Sequence, residues 1–262
     1  MAAFAEGVPC WTDAMLADVE AGKRFYGELF GWSFRPGDTA YGPYEQASHD
    51  GKTVAALTRK PDGRLPTVWN IYFATADAPA ALAKVRAAGG QVIMDPRPID
   101  GLGTMAMAVD PGGAVFGLWQ GGSHPGFAKQ GRPGSYAWTE LYTRDKAKAD
   151  PFYEAVFGYG RQDLDTEDGT DFAMWAPAGR PVDVANAVAG RGVIDGSFPA
   201  ELPAHFLVYF AVQDCDRAAG TAVRLGGRVV LEPEDTPYGR FSVLVDNQGA
   251  SFAVIDLAAA ER

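Results

Sequence analysis

Apolar positions along the chain alternate between two periods in a fixed order. Residues 10–17 predict a strand, and residues 19–30 have the period of about 3.6 that is typical of a helix. Asp18 is predicted to cap the start of this helix, and Gly31 is predicted to end it. Three short strands separated by Gly, Pro and Asp turns are predicted to follow: residues 32–35, 44–48 and 53–58.

The same order of patterns then begins again. Residues 68–75 predict a strand, and the alanine-rich residues 78–88 predict a helix that ends at Gly89. Three further strands are predicted: residues 91–94, 104–109 and 114–119. Each half of the chain is therefore predicted to contain two βαβββ modules, and the whole chain four.

The second half of the chain repeats the first. Residues 7–34 align with residues 134–161 without a gap, and eight of the 28 aligned positions are identical. We therefore predict two domains, residues 1–121 and 135–262. The linker between them, residues 122–134, is rich in Gly, Pro and charged residues, so we expect it to be exposed and irregular.

The composition excludes several classes of partner. A net charge of −10 repels phosphate backbones and anionic lipids, so we expect neither nucleic acid nor membrane as a partner. The two cysteines form no CxxC motif or disulfide framework, and free thiols suit a reducing compartment. Since we find neither a signal peptide nor an apolar run of membrane-spanning length, we expect a cytoplasmic protein.

The order of the motifs resembles the vicinal oxygen chelate superfamily, which includes glyoxalase I, bleomycin-resistance proteins, extradiol dioxygenases and fosfomycin-resistance enzymes. The similarity is greatest to two-domain glyoxalase-like proteins that are often labelled hydroxylases. The matching motifs begin with an acid, a Phe-Tyr pair and Phe-Gly in each repeat: Asp18, Phe25-Tyr26 and Phe30-Gly31-Trp32, then Asp145, Phe152-Tyr153 and Phe157-Gly158. They continue with Asp77, Gly89-Gly90 and Asp110-Pro111-Gly112-Gly113, then Asp214, Gly226-Gly227, Asp246 and Gly249.

This resemblance implies an α+β fold of tandem glyoxalase-like domains, in which each pair of modules curls a mixed sheet into a ligand-binding cup. In metal-dependent members, two His and one Glu project from three strands. The corresponding positions here carry no good metal ligand: Trp11, Asn70 and Gly117, then Trp138, Leu207 and Ala253. We therefore expect no metal and no other cofactor. A site pooled across domains, or one rich in carboxylates, remains an alternative.

Side chains that alternate along the strands predict the lining of the cups. The predicted ligand-binding residues are mostly aromatic, as in many small-molecule pockets: Trp11, Asn70, Tyr72, Met105, Met107, Trp119, Trp138, Tyr142 and Tyr209. For the tryptophans on the first strand of each repeat, burial in the core is an equal alternative.

Asp13, Glu140 and His205 are the candidate catalytic groups. An acid on a buried strand face is costly unless it is paired or hydrated, and a His next to a Glu can form an acid–base pair. The alternatives are a solvated strand end for His205 and turn capping for the acids. The Phe-Tyr pairs of the helices and both cysteines are interpreted as core residues.

Three functions remain open from the sequence. The first is a metal-independent protein that binds a small aromatic metabolite or drug. The second is an enzyme of the superfamily, a glyoxalase-like lyase, isomerase or hydroxylase, that acts without the usual metal site. The third is an interaction protein with cups filled by its own side chains. We expect a small-molecule partner, and either a monomer with an internal pseudo-dimer or a homodimer.

Overall fold

The computed structural model describes residues 4–37, 44–164 and 169–260. The first repeat contains β1 (Pro9–Leu16), α1 (Val19–Phe30), β2 (Ser33–Gly37), β3 (Tyr44–His49), β4 (Lys52–Arg59), β5 (Val68–Ala74), α2 (Ala78–Ala87), β6 (Gln91–Ile99), β7 (Gly103–Val109) and β8 (Val115–Gly121). The second contains β9 (Ser135–Thr143), α3 (Lys146–Phe157), β10 (Gly160–Leu164), β11 (Phe172–Ala176), β12 (Ala189–Val193), β13 (His205–Ala211), α4 (Cys215–Arg224), β14 (Arg228–Thr236), β15 (Gly239–Val245) and β16 (Ser251–Asp256), followed by a 3-10 turn at Leu257–Ala259.

The local signals for α1 are confirmed at both ends. The Asp18 carboxylate accepts a hydrogen bond from the Ala21 amide at 3.0 Å. Gly31 takes a left-handed conformation with a φ of 72°, which a residue without Cβ adopts at little cost. The other three helices also begin at a capping aspartate, namely Asp77, Asp145 and Asp214.

The strands form two mixed sheets of eight strands. Their orders are β2-β3-β4-β1-β5-β8-β7-β6 and β10-β11-β12-β9-β13-β16-β15-β14. In each βαβββ module the first and last strands pair in parallel and the neighbouring hairpins are antiparallel. Both sheets are open at their ends. The predicted α+β class, with its four modules, is confirmed.

Strand β6 is longer than the sequence pattern predicts. The prediction ended at Met94, but the strand continues through Pro96 and Pro98 to Ile99. Proline has no N–H to donate to a sheet, and β6 is an edge strand with shifts in register, so proline is tolerated there.

The chain forms two compact units, and each unit contains modules from both repeats. The first consists of Met1–Trp11, Ile71–Gly126 and Thr139–Phe206, and the second of Thr12–Asn70, Phe127–Trp138 and Leu207–Arg262. The division into domains 1–121 and 135–262 stays a prediction from the repeat.

Within the first unit, helix α3 packs on the second module of the first repeat. The buried hydroxyl of Tyr153 donates to Asp110 in the Asp-Pro-Gly-Gly turn at 3.1 Å. Phe116 packs edge-on against Phe152 at a centroid distance of 6.0 Å. The predicted core role of this Phe-Tyr pair is confirmed by its burial.

Within the second unit, helix α1 makes the equivalent contacts. The Tyr26 hydroxyl donates to Asp246 at 2.8 Å and accepts from the Trp69 indole at 2.9 Å. Phe25 and Phe252 pack edge-on. The Phe-Tyr motif of one repeat therefore contacts the Asp turn of the other repeat in both units.

The linker is mostly exposed, as expected, but it is not exposed throughout. Phe127 is buried and stacks on Tyr136 at a centroid distance of 4.7 Å within the second unit. Across the described part of the chain, no helix combines the length and the apolar character needed to span a bilayer.

Candidate functional site

The first acid lies in the second compact unit, on strand β1. The Asp13 carboxylate is buried, and it accepts hydrogen bonds from the Asn70 amide at 2.8 Å and from the Tyr44 hydroxyl at 3.1 Å. Thr12, on the opposite face of β1, donates its hydroxyl to the Asn70 carbonyl at 2.7 Å. We call Asp13, Tyr44 and Asn70 the Asp13 site. Its two donors compensate the cost of burying a carboxylate.

The second acid lies in the first compact unit, on strand β9. Glu140 is 9% exposed and accepts a hydrogen bond from the Tyr142 hydroxyl at 3.0 Å. The two side chains are two residues apart, so they project from the same face of the strand. They lie beside Gly190 and Gly192 of β12, which are their partners in the parallel register.

The imidazole ring of His205 stacks on the phenol ring of Tyr142. The two rings are parallel within 13° at a centroid distance of 5.6 Å. Nδ1 lies 2.9 Å from the Pro203 carbonyl, which only accepts, so we assign the proton of the neutral ring to Nδ1 and leave Nε2 as an acceptor. Burial lowers the pKa of His205, which favours this neutral form.

We call Glu140, Tyr142 and His205 the Glu140 site. The structure connects Glu140 to His205 through the hydroxyl and ring of Tyr142. Direct proton exchange between the acid and the histidine stays a prediction.

Trp11 and Trp119 lie in the first unit with a residue of the linker between them. The His124 ring packs edge-on against Trp11 at 4.5 Å, and the Trp119 indole donates to the His124 carbonyl at 2.9 Å. Burial lowers the pKa of His124. Sequence reasoning missed this contact because a histidine in an irregular segment carries no periodic signal.

Tyr72, Met107 and Gly117 form a row across three strands of the first unit. Gly117 pairs with Tyr72 on β5 and with Met107 on β7. Met105 pairs with Trp119 in the next row of the same face. Tyr72, Met107 and Trp119 are buried, and Met105 is half-buried. These predicted ligand-binding residues therefore lie together on one sheet face.

The remaining predicted ligand-binding residues are in the second unit. Trp138 is half-buried on β9. Tyr209 is buried, pairs with Ala253 in the parallel register and lies against Phe241 at 6.0 Å.

The positions of the family's metal ligands do not fit a metal in this chain. The Tyr72 ring covers Gly117 so closely that a Cβ there would lie 2.1 Å from Tyr72 Cδ1, and a glutamate has no room. Trp11 offers an indole N–H, which donates only, and the Asn70 amide donates to the buried acid beside it. The second repeat has Trp138, Leu207 and Ala253. Within residues 4–37, 44–164 and 169–260, His, Cys, Asp and Glu form no group of three or more suited to a metal ion.

A cavity of about 690 Å³ lies at the start of helix α4 in the second unit, and its lining includes no residue of the Asp13 site. Asp214, Asp216, Asp235 and Asp256 contribute carboxylates to it, and Arg240 forms ion pairs with Asp216 and Asp235. Burial raises the pKa of the Cys215 thiol in its wall to about 12, so this thiol is a poor nucleophile.

The chain is similar to glyoxalase-like proteins over nearly all of its described fold. The family model of the glyoxalase-like domain matches residues 12–119 and again residues 138–255. The chain is 39% identical to the anthracycline biosynthesis protein DauV of Streptomyces sp. (strain C5), over 98% of this chain and 96% of that protein.

Two solved structures share the fold at lower identity. The Mn(II)-bound glyoxalase from Novosphingobium aromaticivorans aligns with a TM-score of 0.64 at 18% identity, over 98% of this chain and 87% of that one. The 2,3-dioxygenase LapB from Pseudomonas sp. KL28 aligns with a TM-score of 0.64 at 14% identity, over 97% of this chain and 93% of that one.

Proposed function

We propose that this chain, which belongs to the glyoxalase-like domain family, binds a small planar aromatic molecule. In this proposal it does so without the metal ion of its metal-dependent relatives. The resemblance to the vicinal oxygen chelate superfamily is confirmed by the family match and the shared folds. A fold of this kind hosts many activities, so the proposal depends on the side chains of this chain.

The observation that carries the proposal is the repeated pairing of an aromatic residue with a buried acid. Trp11 precedes Asp13 by two residues on β1, and Trp138 precedes Glu140 by two residues on β9. Each acid accepts a hydrogen bond from a tyrosine hydroxyl. Aromatic surface with a few fixed polar groups is the usual composition of a small-molecule site.

The relatives support an aromatic ligand. DauV and DnrV, each 39% identical to this chain, are both named anthracycline biosynthesis proteins. Anthracyclines contain a planar anthraquinone ring system. A ligand of that shape suits the stacked rings of Tyr142 and His205 in the first unit.

Titration with a plain anthraquinone series tests the proposal. The purified full-length chain is titrated with 2,6-dihydroxyanthraquinone and 2,6-dimethoxyanthraquinone, and binding is followed by calorimetry and tryptophan fluorescence. We expect saturable binding of at least one compound, and weaker quenching in W11F or W138F. Treatment with a chelator should leave the affinity unchanged. Absence of saturable heat with every compound would refute the proposal.

A second candidate is a metal-independent enzyme, and the Glu140 site favours it. A carboxylate that accepts from a tyrosine hydroxyl lies there beside a neutral histidine stacked on the same tyrosine, and such groups are common in acid–base catalysis. Turnover of the hemithioacetal of methylglyoxal and glutathione by chelator-treated protein would support a glyoxalase-like lyase. Activity that survives in both E140Q and H205F would exclude this site as its source.

A further inference from the structure

We propose that the ring of His124 is an internal occupant of an aromatic slot, and that a planar ligand enters this slot by displacing the ring. The His124 slot is the space that the imidazole fills beside Trp11 and Trp119 in the first unit. This inference rests on the proposed function and adds how access for the ligand is controlled. The ligand class is a neutral, planar ring, because a group of that shape fills the slot.

The segment that carries His124 is fixed by its backbone. It follows directly after β8 and is hydrogen-bonded to the turn between β6 and β7. Gly122 and His124 donate their amides to the Leu102 carbonyl at 2.8 and 3.0 Å. Ser123 donates its amide and its hydroxyl to the Gly101 carbonyl at 3.1 and 3.0 Å. The position of His124 is therefore set by these bonds and does not depend on its ring.

The ring of His124, in contrast, packs against aromatic rings and leaves one of its nitrogens unpaired. It lies edge-on to Trp11 at a centroid distance of 4.5 Å, and its centroid is 5.8 Å from that of Trp119. Its Nε2 atom is buried and has no hydrogen-bond partner among the described residues. A buried nitrogen without a partner costs free energy, and this cost disappears when the ring is hydrated. The filled slot is therefore less stable than the packing of the rings alone would make it.

The ring has a route out of the slot because His124 is only half-buried. Rotation of the side chain would move the imidazole into water, while the backbone keeps its hydrogen bonds to Leu102 and to the Trp119 indole. Burial lowers the pKa of His124 inside the slot, and hydration would return this pKa toward its usual value. The titration of His124 therefore reports whether its ring has been displaced.

The second repeat has the equivalent tryptophan but no equivalent histidine. Trp138 aligns with Trp11, and the chain after β16, the equivalent of β8, contains the 3-10 turn Leu257–Ala259 and no histidine. Trp138 is half-buried, whereas Trp11 is 3% exposed. The tryptophan that has the histidine ring against it is thus the more buried of the two, and control of access by His124 belongs to the first repeat.

Removal of the ring tests whether the slot accepts an aromatic molecule. The full-length variant H124A is titrated with 4-methylimidazole, which replaces the missing part of the side chain, at a pH above the pKa of the free compound. We expect saturable binding that raises the thermal unfolding temperature of H124A. The unmodified chain should show no such binding, because its slot is filled. Cyclopentanol, a ring of similar size that is not aromatic, should bind H124A more weakly.

Displacement of the ring is tested with a ligand of the proposed function. We expect 2,6-dihydroxyanthraquinone to bind H124A roughly tenfold more tightly than the unmodified chain, because no ring has to leave. H124F fills the slot with an apolar ring that has no nitrogen to hydrate, so it should bind the anthraquinone more weakly than the unmodified chain. The matched control H49A removes a histidine that lies beside Lys129 in the second unit, and it should leave the affinity unchanged.

Nuclear magnetic resonance follows the ring in the unmodified chain. The imidazole signals of His124 are assigned by their absence from H124F. Their pKa should lie below the usual value in the free protein and move toward it when the anthraquinone is bound. A histidine that only fills space would keep its pKa on binding, and its removal would not raise the affinity. Circular dichroism verifies folding, and H124F with this titration carries the test if H124A does not fold.

The outcomes separate the two proposals. Absence of anthraquinone binding by the unmodified chain and by every variant refutes the proposed function, whatever H124A does with 4-methylimidazole. Equal anthraquinone affinity in the unmodified chain, H124A and H124F overturns the displacement of His124 and leaves the binding function standing. So does a folded H124A that fails to bind 4-methylimidazole, or that binds cyclopentanol equally well.

Discussion

Asp13 and Glu140 occupy equivalent positions in the two repeats, yet different groups hold their carboxylates. Asp13 accepts from Asn70 on β5 and Tyr44 on β3, whereas Glu140 accepts from Tyr142 on its own strand. Phe172, which has no hydroxyl, takes the place of Tyr44 in the strand register. The repeats have thus kept a buried acid at this position, while the tyrosine that donates to it lies on a different strand.

The neighbouring strand explains how the change is accommodated. Asp13 pairs with Ala56 on β4, and Glu140 pairs with Gly190 on β12. A Cβ at Gly190 would lie 2.4 Å from Phe172 Cζ and 3.1 Å from Glu140 Cγ, so both the Phe172 ring and the longer acid are packed against this glycine. Glu140 has one methylene more than Asp13, and its neighbour Gly190 has one methyl group fewer than Ala56.

The opposite faces of these strands also differ between the repeats. Leu57 lies next to Ala56 and is fully buried, and Arg191 lies next to Gly190 and is also fully buried. The Arg191 guanidinium forms ion pairs with three aspartates: Asp150, Asp163 and Asp171. The same strand position is thus apolar in one copy and ionic in the other.

The largest expected effect follows from this buried arginine. R191M removes the cation and leaves the buried Asp150 carboxylate with less compensation, so we expect a loss of about 3–5 kcal/mol in the free energy of unfolding. Urea denaturation measures it. R161M removes the half-exposed partner of Asp150 and should cost less than about 1 kcal/mol. Equal losses in the two variants would show that Arg191 is not the main partner.

N70L tests the Asp13 site by giving it the residue of the second repeat. The buried Asp13 carboxylate loses its amide donor, and we expect a loss of about 1–3 kcal/mol in unfolding free energy. N70D keeps the shape but places a second carboxylate beside the first, so its loss should be larger at neutral pH and should shrink on acidification. If N70L is as stable as the unmodified chain, the amide does not support this acid.

Y44F and Y142F compare the two hydroxyl donors directly. Each removes one hydrogen bond to a carboxylate and keeps the ring, so we expect a loss of about 1 kcal/mol from each. The double variant measured by urea denaturation should show the sum of the two losses, because the two hydroxyls donate to different carboxylates. A double loss well below the sum would show that the sites are coupled.

The smallest expected effect is on the pH dependence of stability. Burial lowers the pKa of His124 and of His205 from their usual value near 6.5, so the unfolded chain binds more protons between the lowered pKa and 6.5. Stability should therefore fall as the pH decreases below about 6.5.

Buried acids also affect the pH dependence of stability, and one of them is Asp110, whose pKa is raised by burial. The difference between the unmodified chain and the H124F/H205F variant isolates the contribution of the two histidines. Thermal unfolding across this pH range should show a flatter profile for the variant. Parallel profiles would mean that neither histidine contributes.

Local signals in the sequence account for much of the fold. The bounds of α1, its Asp18 cap and its Gly31 terminus follow from capping chemistry and helical period, and the structure confirms them. The length of β6 does not follow, because its prolines oppose a strand unless the edge position is known. Periodicity reports the faces of an element but not its neighbours in the sheet.

The candidate sites were predictable only in part for the same reason. The alternation of β1 and β9 identifies Asp13 and Glu140 as residues of interest. The Tyr72 ring over Gly117 and the His124 ring beside Trp11 depend on contacts between distant segments. Such contacts leave no trace in the local period of either segment.

The hydrogen bonds from Tyr26 to Asp246 and from Tyr153 to Asp110 have a consequence for the evolution of the two repeats. Each tyrosine is encoded in one copy and its aspartate in the other. A change at either end must therefore be tolerated by the opposite copy, so the duplicated halves evolve as partners. Recombination that replaced one half with a distant homologue would separate both pairs at once, even though each half carries a complete set of motifs.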